Sequence, residues 1–261
     1  MIGVFRAELL KLTRPRILLG TFAAALLAAA LASFVVIQSA GPSEAAGGRD
    51  VSLQDLQAAG GGTEVFSLLV SVSGFFVLVT LAANWAGEFS QGTFRTLLMK
   101  QPRRAYLLGG KMAGLLAYAA GVLLLLEALT FGLSLALAPA EGVPTSAWFS
   151  LDGVREAAGD YANALLGVSA WTSFAMLLGV VLRSTPVALG VGIAWAGPFE
   201  HIMQNTWQSV SGVFPGLLLE ALAVGGTSDV SYARALGLIA GYVALAVAAA
   251  VFSFVRRDVT G

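Results

Sequence analysis

The sequence has no cysteine, which excludes disulfides, thiolate metal sites and cysteine nucleophiles together. It has one histidine, His201, and no apolar run carries two acids, so the Ser–His, paired-Asp and metal arrangements of an intramembrane hydrolase are not available. A phosphate-binding loop is also missing. Gly110-Lys111 has the ending of one, but Met112 stands where a hydroxyl residue belongs and Ala105 where the first glycine belongs. The chain is therefore expected not to be an enzyme, to bind no cofactor or metal, and to take any ATP-derived energy from a partner. Charge is scarce as well, at 11% of 261 residues against 57% apolar, with a mean hydropathy of +0.81. That balance belongs to membrane proteins rather than soluble globular ones.

What the sequence has instead is a series of long apolar runs. They predict an all-α membrane protein with six transmembrane helices, at residues 17–38, 65–86, 105–137, 160–182, 186–200 and 232–255. A helix rises ~1.5 Å per residue, so about 20 residues cover the ~30 Å hydrocarbon core. The third run exceeds that need and is expected to tilt or project; the fifth is short. The first run is too long for a cleavable signal and no small-residue cleavage pattern follows it, so it reads as a retained span.

The intervening segments have characters of their own. In residues 1–16, Ile2, Phe5, Leu9 and Leu12 share one helical face while Glu8, Lys11 and Arg14 share the other, which predicts an amphipathic interfacial helix ending near Pro15. Residues 41–62 are a polar loop with a short helix expected around Ser52 to Ala59. Residues 139–159 form a second outer loop, with Trp148 and Phe149 placed to rest at the membrane surface. Residues 201–224 mix Trp207, Phe214 and leucines with Gln204, Asn205 and Gln208, the composition of an outer re-entrant segment packed against protein. The pairs Gly110/Gly114 and Gly237/Gly241 permit close helix contact.

Orientation follows from counting. With both termini cytoplasmic, the inner segments hold twelve of the fifteen Lys and Arg residues, Arg256 and Arg257 among them, and the outer loops hold Arg49, Arg155 and Arg234. Only Glu8, Glu88 and Asp258 among the acids lie inside. Lys and Arg concentrate on the cytoplasmic side of membrane proteins, so both ends are expected inside.

The one substantial charged island between apolar runs is Glu88 to Lys111, which carries Arg95, Lys100, Arg103, Arg104 and Lys111 against Glu88 alone. Phe94, Leu97 and Leu98 fall at i, i+3 and i+4, while Gln91, Arg95, Thr96 and Lys100 lie mostly off that stripe. This predicts a short amphipathic helix, ended at Gln101-Pro102 because a residue before proline is pushed out of helical geometry. Such an element either lies on lipid as an interfacial loop or docks a soluble partner.

Glu88, Gly92-Thr93, Leu97-Leu98, Pro102-Arg103-Arg104 and Leu108 to Lys111 resemble the first cytoplasmic loop of the ABC-2 type permease family, the membrane subunits of ATP-driven exporters. Gln91 departs from the pattern, since many members carry a second acid there. The resemblance implies that the cytoplasmic loop 88–104 is a coupling helix seated in a cleft of the ATPase, with Glu88, Gln91, Phe94, Arg95, Leu97 and Leu98 as docking residues. It further implies two copies of an ATP-binding cassette ATPase holding ATP and Mg, a second permease copy in a homodimer, and a bacterial-type cytoplasmic membrane. The lipid bilayer is the other expected partner, and nucleic acid is not one.

Candidate pathway residues are fewer. Glu127 is the ionisable residue well inside a predicted span; it contacts cargo or couples protons, or else is a protonated carboxyl bonded to a neighbour or lying near the outer headgroups. Glu200 and His201 sit beside Gln204, Asn205 and Trp207 and read as a polar rim rather than a metal site. By the resemblance, Phe199 to Phe214 is an outer gate that includes Glu200 and Trp207. Asn84 and Trp85 form an inner gate or simply anchor the second span. A membrane scaffold or sensor, and an energy-independent channel or scramblase, stand as alternatives.

Overall fold

The computed structural model describes residues 1–40, 51–100, 102–207 and 212–256. Arg49, Gln101, Gln208, Arg257 and Asp258, used above, lie outside the described residues, as do parts of the 41–62 loop and of the 201–224 segment. Among the described residues the regular structure is helical. The helices are α1 (Ile2–Leu12), α2 (Pro15–Ser39), α3 (Leu53–Gln57), α4 (Glu64–Ser90), α5 (Thr93–Lys100), α6 (Arg104–Leu137), α7 (Leu151–Leu182), α8 (Thr185–Ala194), α9 (Glu200–Thr206), α10 (Pro215–Ala223) and α11 (Tyr232–Arg256). Five of them, α2, α4, α6, α7 and α11, are long and apolar enough to cross a membrane.

The predicted run at 186–200 takes a different form. α8 ends after ten residues and Trp195–Phe199 forms a π-helical turn that contains Pro198. Proline lacks an N–H and its ring presses on the carbonyl four residues back, so regular α-helix does not continue through it; a widened turn relieves the clash. Two spans also prove longer than their apolar runs. α7 begins at Leu151, where the Ser150 hydroxyl accepts the Gly153 N–H at 3.1 Å and caps the helix nine residues ahead of the predicted span at 160. α4 continues past residue 86 to Ser90, so Glu88 belongs to its last turn rather than to the loop.

The described residues group into two compact units. One comprises Thr13–Ser71 and Ala119–Leu165 and has a small core of Ile37, Val51, Leu56, Ala138, Val143 and Trp148. The predicted helix near Ser52 is α3, opened by a capping box in which Ser52 and Asp55 satisfy each other's backbone N–H groups. Trp148 is a correction: it is buried in that core and its indole N–H donates to the Leu56 carbonyl at 2.8 Å, while Phe149 remains exposed. A tryptophan can serve either end of this choice, and the free carbonyl at the end of α3 decides it.

The other unit comprises Met1–Leu12, Val72–Tyr118 and Leu166–Gly261 and contains the larger core. Within it α4 and α7 approach closely through two reciprocal notches. Gly74 on α4 receives Trp171 of α7, and Gly179 on α7 receives Trp85 of α4; a Cβ at either glycine would collide with the indole side chain. α10 is buried along most of its length, which matches its apolar sequence.

Candidate functional site

The ends of α1, α4, α5, α6 and α11 converge in this second unit. α4 ends at Ser90, and Gly92 takes a φ of 68° to reverse the chain into α5, a conformation in which a side chain would be strained. Gly92-Thr93 of the sequence motif is therefore the hinge between span and loop helix. Phe94, at the start of α5, is then carried back into the core. Its ring stacks on Trp85 (centroids 6.4 Å apart, 14° between planes), lies tilted against Phe89 and meets Phe254 edge-on. Leu97 and Leu98 pack on the same core.

The amphipathic stripe thus faces inward, and Phe94, with no exposed surface, is not available to a partner. Gln91, Arg95, Thr96, Met99 and Lys100 form the exposed face, with Met99 79% exposed. Among the docking residues expected from the sequence, only Gln91 and Arg95 lie outward.

Glu88 points inward as well. It belongs to a buried ionic cluster that joins three helices. Lys111 of α6 is 1% exposed and donates to Glu88 Oε1 at 2.7 Å, to Asn84 Oδ1 at 2.7 Å and to Glu8 Oε1 of α1 at 3.1 Å. Lys11 of α1 adds contacts to Glu8 Oε1 (2.8 Å) and Glu88 Oε1 (3.0 Å). An ammonium has three protons, and Lys111 places each on a different oxygen. Burial alone would lower the Lys11 pKa, but its hydrogen bond to Glu8 and the charge of Glu88 outweigh that and hold it above its ordinary value.

This arrangement corrects the reading of the N-terminal helix. α1 turns Glu8 and Lys11 toward protein and leaves Ile2 and Leu10 exposed. The reason is the cluster: Glu8 supplies the third oxygen to the buried Lys111 ammonium and Lys11 a second cation to Glu88, which outweighs two exposed apolar side chains. The Gly110/Gly114 pair makes the approach possible, because Val4 lies against Gly110 and Glu8 against Gly114. Gly237 and Gly241 face open space instead.

Trp85 is also not an interfacial anchor. It is fully buried, and the Lys111 ammonium lies 5.0 Å from its ring centroid, within cation–π range. Two further cations meet the residues around Phe94. Arg104, at the start of α6, donates to the carbonyls of Phe254 and Val255 at 2.9 and 3.1 Å, satisfying the exposed end of α11. Arg183, in the left-handed conformation at φ 52° after α7, lies over Phe89 at 5.3 Å. Sequence reasoning counted Lys11, Lys111 and Arg104 toward orientation and did not see them as structural. The only signal available was that Lys111 lies inside an otherwise apolar helix.

The remaining candidates are dispersed. Glu200 is buried and accepts the Leu217 N–H at 3.1 Å near the start of α10, where Gly216 leaves room for the carboxylate. A carboxylate there suits the positive end of the helix. His201 pairs with Glu220 of α10 at 3.1 Å. Phe199 stacks on Trp195 and meets Phe214 edge-on, and Trp207 is exposed. Glu200, Phe199 and Phe214 are therefore brought together. Glu127, in the first unit, is half-buried on α6, close enough to Asp160 for their charges to interact. Among the described residues no group of His, Asp or Glu is arranged to hold a metal.

Five helices long and apolar enough to cross a membrane define an integral membrane protein. Residues 25–260 match the family described as Protein of unknown function (DUF2705), and the chain belongs to that family. No curated protein matches it.

Proposed function

We propose that this chain is the membrane subunit of an ATP-driven exporter, working as a pair of identical chains with two copies of a separate ATP-binding cassette ATPase. The observation that carries the reading is α5. It is a short helix between two long spans, keyed into the core by Phe94 and presenting a basic outer face with one projecting apolar side chain, Met99. A loop adsorbed on lipid would turn its apolar stripe to the membrane; here Phe94, Leu97 and Leu98 are occupied by protein. The partner-facing residues are accordingly Gln91, Arg95, Thr96, Met99 and Lys100, and Glu88, Phe94, Leu97 and Leu98 hold the helix in place.

A sixth crossing is supported by the unbroken helical run through α8, the π turn and α9, residues 185–206. About 22 residues give roughly 33 Å, enough to cross with a kink at Pro198. Six crossings would put both termini on the same side as α5, and the Lys and Arg distribution favours the cytoplasmic side. The α9–α10 segment with Phe199 and Glu200 then forms the outer gate, and Glu127 faces the cargo route.

The test is co-expression of the tagged chain with the ATP-binding cassette ATPases of its own genome. Recovery of one ATPase with the chain is expected. Recovery of none would favour a scaffold or a channel.

A further inference from the structure

We propose that Trp85 and Lys111 form a relay that carries displacement of α5 to α1, with Lys111 as its positioning residue. This rests on reading α5 as the helix on which the ATPase docks. The contacts are continuous. Phe94 of α5 stacks on Trp85 of α4, the Lys111 ammonium of α6 sits over the same indole, and Lys111 is bonded in turn to Glu8 of α1. Neither side of the relay has slack. Gly179 lets α7 close against the back of Trp85, and Gly114 lets α1 close against α6 at Glu8. Close-packed interiors transmit displacement instead of absorbing it.

The chemistry couples the two helices. If α1 stayed behind while α6 moved, Glu8 would keep only Lys11 of its own helix, and the buried Lys111 ammonium would lose one of its three oxygens. A buried charged donor left without its acceptor is unfavourable, so α1 travels with α6.

The experiment follows hydrogen exchange of residues 2–12 and 93–100 in phosphatidylcholine nanodiscs. It uses the complex with its co-purified ATPase, with and without ATP and vanadate, for wild type, Lys111→Met and Lys111→Arg. In wild type both segments should respond to nucleotide. In Lys111→Met residues 93–100 should respond while 2–12 do not, and Lys111→Arg, which keeps a cation, should restore the response. A normal response of 2–12 in Lys111→Met would overturn the relay, as would a wild type in which only 93–100 responds. Recovery of no ATPase removes the permease reading, and the link is then judged on the chain alone. There Lys111→Met should speed exchange of 2–12 on the order of a hundredfold, with 215–223 unchanged. Unchanged exchange at 2–12, or a gain shared equally by 215–223, would overturn it.

Discussion

Lys111 and Glu8 lie 103 residues apart and meet at 3.1 Å, a pairing that no periodicity or composition could suggest. From sequence, Glu8 and Lys11 belong on the solvent face of an amphipathic helix, because a charged side chain is buried only when something distant compensates it. The glycines were legible in kind but not in use. Of the pairs four apart, Gly110/Gly114 accepts a helix and Gly237/Gly241 accepts nothing. This difference is testable. Gly179→Val places a side chain against Trp85 and the Ala86 backbone and should cost about 1–3 kcal/mol in thermal unfolding in detergent. Gly237→Ala meets open space and should be neutral or stabilise by up to about 1 kcal/mol. The attachment of α1 through Lys11 has a defined pH dependence. Its raised pKa means that the contribution is fully present below the ordinary value of 10.5 and is lost as pH rises through the still higher folded value. Protection of residues 2–12, taken relative to the intrinsic exchange rate at each pH, should thus be constant between neutral pH and 9 and fall only in stronger alkali.

Individual helices were the most legible scale. The apolar runs located α2, α4, α6, α7 and α11, because some twenty consecutive apolar residues permit little else. Their ends were less visible, since polar residues extend a helix as readily as they end it: α4 runs on through Glu88 and α7 starts among Asp152, Arg155 and Glu156. α5 was found with its stripe correctly drawn, but a stripe does not say whether it faces the chain itself or a partner. That ambiguity settles which variants are informative. Phe94→Asp would place a charge beside Trp85 and Phe254 and should cost more than about 3 kcal/mol, visible as loss of folded protein rather than loss of a partner. At the start of α6, Arg104→Ala removes two hydrogen bonds to the last carbonyls of α11. It should destabilise that terminus by roughly 1–3 kcal/mol, read as faster exchange at 250–256.

For the molecule as a whole, the sequence carries the membrane class and an expected orientation, and the structure adds the means by which a short helix is tied to its neighbours. The absence of cysteine is an experimental advantage at this scale, because single cysteines can be introduced into the native chain. A cysteine at Met99 should react with an impermeant maleimide only from the cytoplasmic side, and one at exposed Arg155 only from the opposite side. Labelling of both from one side would invalidate the six-span orientation. The central claim, however, is that the outer face of α5 receives the ATPase. Its most direct measurement is recovery of the ATPase with the tagged chain, compared between wild type and the Arg95→Glu/Met99→Asp double variant, both of whose positions are exposed. The account predicts that the variant folds and reaches the membrane as wild type does but loses most of the ATPase. Equal recovery of the ATPase from a properly folded variant would contradict it.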